Sequence, residues 1–131
     1  MPSSVVLTVK DENAFGHMLS QAIITFPAER ITVQQLIVAR VVQEVERYNA
    51  GETTDFVGLV KPCEAEIILN GARKGRLIDV KQQKQAALAA FQANAFFLLI
   101  NDRQVTELEQ NILITPNTKV AFVKLVPLIG G

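Results

Sequence analysis

The stretch from Thr32 to Asn49 constrains the fold most. Val33, Leu36, Ile37, Val41, Val45 and Tyr48 recur at helical spacing, which gives a helix one wide apolar face suited to lying across a sheet. Thr32 and Gln35 have the spacing of a capping box, in which each side chain satisfies a backbone N–H of the first turn. Asn49-Ala50-Gly51 supplies a stop, because glycine tolerates the left-handed conformation that ends many helices. The β-branched positions Ile37, Val38, Val41, Val42 and Val45 lower intrinsic helix propensity, so packing must hold the helix in place.

The flanking segments supply the sheet. Ser4 to Lys10 alternates, with Val5, Leu7 and Val9 on one side, and predicts a half-buried strand. Lys10-Asp11-Glu12-Asn13 reads as a turn, and the segment from His17 to Phe26 ends in Ala22-Ile23-Ile24-Thr25-Phe26, a second strand closed by Pro27, which cannot donate to a ladder. After a loop from Gly51 to Gly58, Glu64 to Leu69 predicts a short strand ended by Asn70-Gly71. Arg73, Lys74 and Arg76 then form a small basic cluster. Asp79 and Gln82 cap a second helix over Val80 to Ala95, alanine-rich and of high propensity. Its narrow stripe of Val80, Ala87, Leu88, Phe91 and Ala95 either covers the open side of the sheet or meets another copy of the chain.

The last third returns to strands. Phe96 to Ile100 is apolar, Asn101-Asp102 is a tight turn and Arg103 to Val105 returns from it. Leu108 to Ile114 holds a short extended or single-turn segment, Thr115 to Thr118 a turn, and Lys119 to Val126 a final strand. The expected class is α+β, a mixed sheet packed on one main helix, in a single domain spanning 1–131 with an insertion at about 51–95.

Composition excludes several functions. Thirteen basic and thirteen acidic side chains cancel, so no overall field attracts nucleic acid or an anionic membrane. The single cysteine, Cys63, cannot form an intrachain disulfide. Met1-Pro2-Ser3-Ser4 has neither the basic nor the apolar region of a signal peptide, and a cytoplasmic protein is expected. Nothing in the chain has the pattern of a metal cluster, a phosphate loop or a nucleophile elbow. Lone His17 and lone Cys63, far apart in sequence, do not make a catalytic pair, so the chain reads as a substrate or carrier and not as an enzyme.

After the final strand the sequence runs Val126-Pro127-Leu128-Ile129-Gly130-Gly131. The strand order, the segment Phe97-Leu98-Leu99-Ile100-Asn101-Asp102-Arg103-Gln104-Val105 and the terminal Gly130-Gly131 resemble ubiquitin and its β-grasp relatives. Val120-Ala121-Phe122 with the proline-bearing ending is also similar to the small sulfur carriers of molybdopterin and thiamin synthesis. Two features depart from ubiquitin: the tail lacks arginines, and the region from about Gly51 to Ala95 has no counterpart. The chain is most similar to the larger ubiquitin-like proteins encoded in bacterial operons of the conjugation type, some of which act in defence against phage.

That resemblance implies a protein modifier activated at Gly131. A C-terminal carboxylate is ionised at neutral pH and acylates nothing until it becomes a mixed anhydride. An activating enzyme must therefore adenylate it with its own ATP; the modifier itself needs no bound cofactor. Gly130 and Gly131 lack a Cβ and can thread a narrow channel, with Val126, Pro127, Leu128 and Ile129 docking in a groove of the enzyme. The implied partners are the activating enzyme, a conjugating enzyme, a deubiquitinase-like peptidase and the target proteins. The alternatives are a sulfur carrier holding a thiocarboxylate at Gly131, and an interaction module that is never conjugated.

Overall fold

The computed structural model describes residues 4–52, 59 and 77–125. It begins with a hairpin of strands β1 (Val5–Asn13) and β2 (Met18–Phe26), antiparallel from Val5 opposite Phe26 to Glu12 opposite Met18. The first strand runs through Lys10-Asp11-Glu12-Asn13, which the sequence reads as a turn. Asp11 extends the inward stripe of Val5, Leu7 and Val9 and is buried. The turn follows at Asn13 to Gly16: the Asn13 Oδ1 accepts from the N–H groups of Phe15 and His17 at 2.9 and 3.0 Å. Gly16 closes it at φ +84°, where an L side chain would be strained.

Helix α1 (Val33–Asn49) follows the short strand β3 (Arg30–Thr32), and the capping box at Thr32 and Gln35 is formed. Two more amides of the first turn find carbonyls outside the helix, Val33 N–H on Gln110 O and Gln34 N–H on Leu108 O, both at 3.0 Å. The first-turn donors that a helix leaves unsatisfied are thus met by a strap of chain. Part of that strap, β6 (Asn111–Leu113), pairs antiparallel with β3 in a separate two-stranded sheet. Val33, Leu36, Ile37, Val41 and Val45 are buried.

The second helix, α2 (Val80–Gln92), is capped by the Asp79 side chain on the Lys81 and Gln82 amides. Its approach is tied to the end of α1, because the Asn49 side chain donates to Ile78 O and accepts from Ile78 N–H. The helix ends at Gln92, short of the expected Ala95, and Asn94 takes φ +62°. That early stop frees Phe96 to open the next strand. Ala87 and Phe91 are buried, and the Phe91 ring lies 5.9 Å from that of Phe96. Val80 and Leu88 pack against the core but are only partly buried, and Ala95, beyond the helix, is exposed.

Strands β4 (Phe96–Ile100), β5 (Arg103–Val105) and β7 (Val120–Lys124) complete a five-stranded sheet of order β2-β1-β7-β4-β5. Asn101 and Asp102 both adopt positive φ in the turn between β4 and β5, as an inverse hairpin turn requires. The Asn101 side chain also accepts from Lys119 N–H at 2.9 Å, fixing the start of β7. All neighbours are antiparallel except β1 and β7, which are parallel. The molecule is therefore a mixed sheet packed against a helix, with a second helix beside it. The first and last strands lie side by side.

Candidate functional site

Because β7 is parallel to β1, with Val9 opposite Val120 and Asn13 opposite Lys124, the two strands finish at the same margin of the sheet. The residues that follow Lys124 therefore leave from a fixed place, next to the β1–β2 turn. Leu125 is the last described residue and is exposed.

Beneath that departure point the apolar core gives way to charge. Alternation sends Val5, Leu7, Val9 and then Asp11 inward from β1, and Val120, Phe122 and then Lys124 inward from β7. Arg40 enters from α1 between the turns carrying Ile37 and Glu44. Asp11 is 1% exposed and Arg40 3%. Arg40 Nε donates to Asp11 Oδ1 at 3.2 Å while its Nη2 donates to Oδ2, a two-pronged contact that matches guanidinium to carboxylate geometry. Lys124 Nζ lies 3.4 Å from Asp11 Oδ2, and Ser20 Oγ donates to the same oxygen at 3.4 Å. Glu44 Oε1 stands 3.8 Å from Arg40 Nη1. Two cations and two carboxylates balance, which is what lets so much charge be buried at all.

A cleft of about 140 Å³ opens over this group between β1, β2 and α1, bounded by Asp11, Ser20, Gln21, Arg40, Glu44 and Arg47. Both oxygens of Asp11 already have partners, so the arrangement acts as a charge lock that fixes the end of β7 against β1 and α1. Among the described residues no cluster of three or more His, Cys, Asp or Glu could hold a metal ion.

Burial holds the Lys124 ammonium below its ordinary pKa of 10.5, and the nearby Arg40 guanidinium adds to this, while Asp11 and Glu44 oppose it. Between that lowered value and 10.5, the unfolded chain binds more protons at this group than the folded one, so its contribution to stability rises with pH. The urea midpoint of the parent protein relative to Lys124→Met is expected to increase as pH is raised through the alkaline range towards 10.5. A pH-independent difference would mean that Lys124 titrates as it does in the unfolded chain.

The residues singled out by sequence fall on two sides of this boundary. His17 is exposed in the hairpin. Gly130, Gly131 and the docking segment Val126, Pro127, Leu128 and Ile129 lie outside the described residues, as do Cys63 and the cluster of Arg73, Lys74 and Arg76. Asp11, Arg40, Glu44 and Lys124 carry no motif. Their one signal is position: each stands where strand or helix periodicity calls for an apolar side chain.

No protein-family model, curated protein or solved structure matches the chain. Among the described residues no helix is long and apolar enough to cross a membrane.

Proposed function

We propose that this chain is a ubiquitin-like modifier of the β-grasp type, activated at Gly131 and attached through it to other proteins. The observation that carries the reading is the placement of β7. It occupies the centre of the sheet, flanked by β1 and β4, and ends at Lys124 in the charge lock with residues 125–131 still to come. A tail rooted in a strand paired on both sides can be pulled into an enzyme without dismantling the domain. The sheet order, with parallel first and last strands and a helix across one face, supports the β-grasp assignment. Extended, the six residues after Leu125 reach roughly 20 Å, enough to enter a buried site.

The chemistry is acyl transfer. An oxygen of the Gly131 carboxylate attacks the α-phosphorus of ATP and expels pyrophosphate, giving an acyl adenylate. A cysteine thiolate of the partner then displaces AMP to form a thioester, and an amine of the target displaces the thiolate to form an amide. The proline in the tail favours one second reading, in which a sulfur donor converts the adenylate to a thiocarboxylate.

The test is mass spectrometry of the N-terminally tagged protein, recovered under denaturing conditions from its native host. Trypsin cuts after Lys124 and leaves Leu125-Val126-Pro127-Leu128-Ile129-Gly130-Gly131 branched from an acceptor. The modifier reading expects such branched peptides, lost when Gly131 is deleted. A free chain with sulfur in place of one oxygen at Gly131 selects the carrier, and the absence of both overturns activation at Gly131.

A further inference from the structure

The margin of the sheet from which the tail departs carries a second feature. Eight large apolar side chains are prominently exposed among the described residues, and four of them, Phe15, Met18, Leu19 and Leu125, belong to the β1–β2 hairpin end or the root of the tail. Phe15 is 79% exposed, the highest value of the eight. The backbone beneath it is nevertheless tightly organised. Asn13 N–H donates to His17 O and Gly16 N–H to Asn13 O, both at 3.0 Å, and the Asn13 side chain accepts two further amides of the loop.

The register between Asp11 and Glu12 shifts so that Ser20 faces the first and Met18 the second, leaving Leu19 as an extra residue. Such a bulge re-aims side chains at a strand end. The result is a fixed loop that displays an aromatic ring with the apolar side chains of Met18 and Leu19 beside it. From Asn13 to Ala28 the chain has no acidic or basic side chain apart from His17, and residues 125–131 have none.

Position determines what such a loop would meet. Asn13 and Lys124 are register partners on adjacent parallel strands, which run about 5 Å apart. Ala14 and Leu125 thus leave the sheet side by side. A protein that closes around residues 125–131 must bring its surface against the hairpin tip. An aromatic side chain on a preorganised loop is also the kind of group that anchors interfaces, since little conformational freedom remains to be lost on binding.

We propose that the hairpin tip, with Phe15 as its anchor and Met18 and Leu19 beside it, is a second docking point for the enzyme that activates Gly131. That enzyme presents an uncharged pocket for an aromatic ring beside the mouth of its tail channel. The inference rests on the activation of Gly131 proposed above. It adds a specificity element lying outside the tail.

The experiment is ATP–pyrophosphate exchange, using the full chain and an enzyme fraction from the native host selected for exchange that disappears when Gly131 is deleted. Phe15→Ser is expected to raise the concentration of the chain needed for half-maximal exchange by about tenfold or more, with the maximal rate retained. Phe15→Tyr should restore the parent value. Ile23→Ser, at an exposed apolar position in the middle of β2, should leave it unchanged. Circular dichroism establishes that each variant is folded.

Gly131-dependent exchange with an unaltered half-maximal concentration in Phe15→Ser overturns the docking point and leaves the modifier reading intact. No Gly131-dependent exchange in the host overturns both. Two further results would reassign the tip: a dimer in sedimentation velocity that Phe15→Ser abolishes, meaning a second copy covers it, or Phe15-dependent binding to phosphatidylcholine–phosphatidylserine vesicles, meaning a lipid surface does.

Discussion

Replacing Asp11 with alanine is expected to destabilise the domain by about 3–5 kcal/mol, the range for removing one partner of a buried ion pair. Asp11 receives both prongs of Arg40, and Lys124 and Ser20 share one of its oxygens. Its loss leaves two cations and one carboxylate in a region where burial already disfavours the Lys124 charge. Against a total stability of about 5–15 kcal/mol for an ordinary domain, that is a large share of what holds the fold. Urea denaturation at neutral pH measures the effect. The double variant Asp11→Leu with Arg40→Met should recover much of the loss, because an apolar pair in place of a buried ion pair is often neutral or better. A cost for Asp11→Ala below about 1 kcal/mol, the level of an exposed pair, would show that the lock is solvated.

Phe91→Asp is expected to prevent folding altogether. The side chain is 4% exposed and its ring forms one end of a row of mutually tilted rings in which Phe91, Phe96 and Phe122 follow at 5.9 and 6.1 Å between centroids. Deleting a buried phenyl ring costs about 3–5 kcal/mol. A carboxylate placed there without a cation adds a desolvation cost of several kcal/mol, and the sum approaches the whole stability of a domain. Phe91→Leu keeps an apolar side chain at the site and should fold. Circular dichroism and size exclusion separate the outcomes: a folded Phe91→Asp would place the apolar stripe of α2 on the surface, free to meet another copy.

Period and end signals made much of the fold legible in the sequence. The main helix was marked by its apolar face and by Thr32 and Gln35, whose reciprocal bonds form as the spacing requires. The β4–β5 turn was marked by Asn101-Asp102, two residues that accept positive φ. The length of β1 was hidden, because Lys10-Asp11-Glu12-Asn13 has the composition of a turn and the group that makes burial of Asp11 tolerable lies 29 residues away on α1. The end of α2 was masked by composition: Asn94 takes the positive φ that ends the helix, a stop that asparagine can supply, but it sits in an alanine-rich run whose propensity favours continuation. Strands β3 and β6 have three residues each, too few to show a period. Around the candidate site, the inward stripe of Val5, Leu7 and Val9 could be read directly. The charges beneath the tail could not, since only the parallel pairing of β1 with β7 brings Asp11 to Lys124.

That pairing also governs how the chain must be assembled in time. Val9 and Val120 stand opposite one another although nearly the whole sequence separates them, so the contact carries a large loop-closure cost before it returns any stabilisation. A topology that depends on such a distant pairing folds more slowly than a local helical bundle. During synthesis β1 and β2 can form a hairpin early, and β4 and β5 another, but the strand that joins these halves is translated last. The sheet closes only once the segment that leads into the diglycine has been made. A chain cut short before Val120 would hold two hairpins with nothing between them.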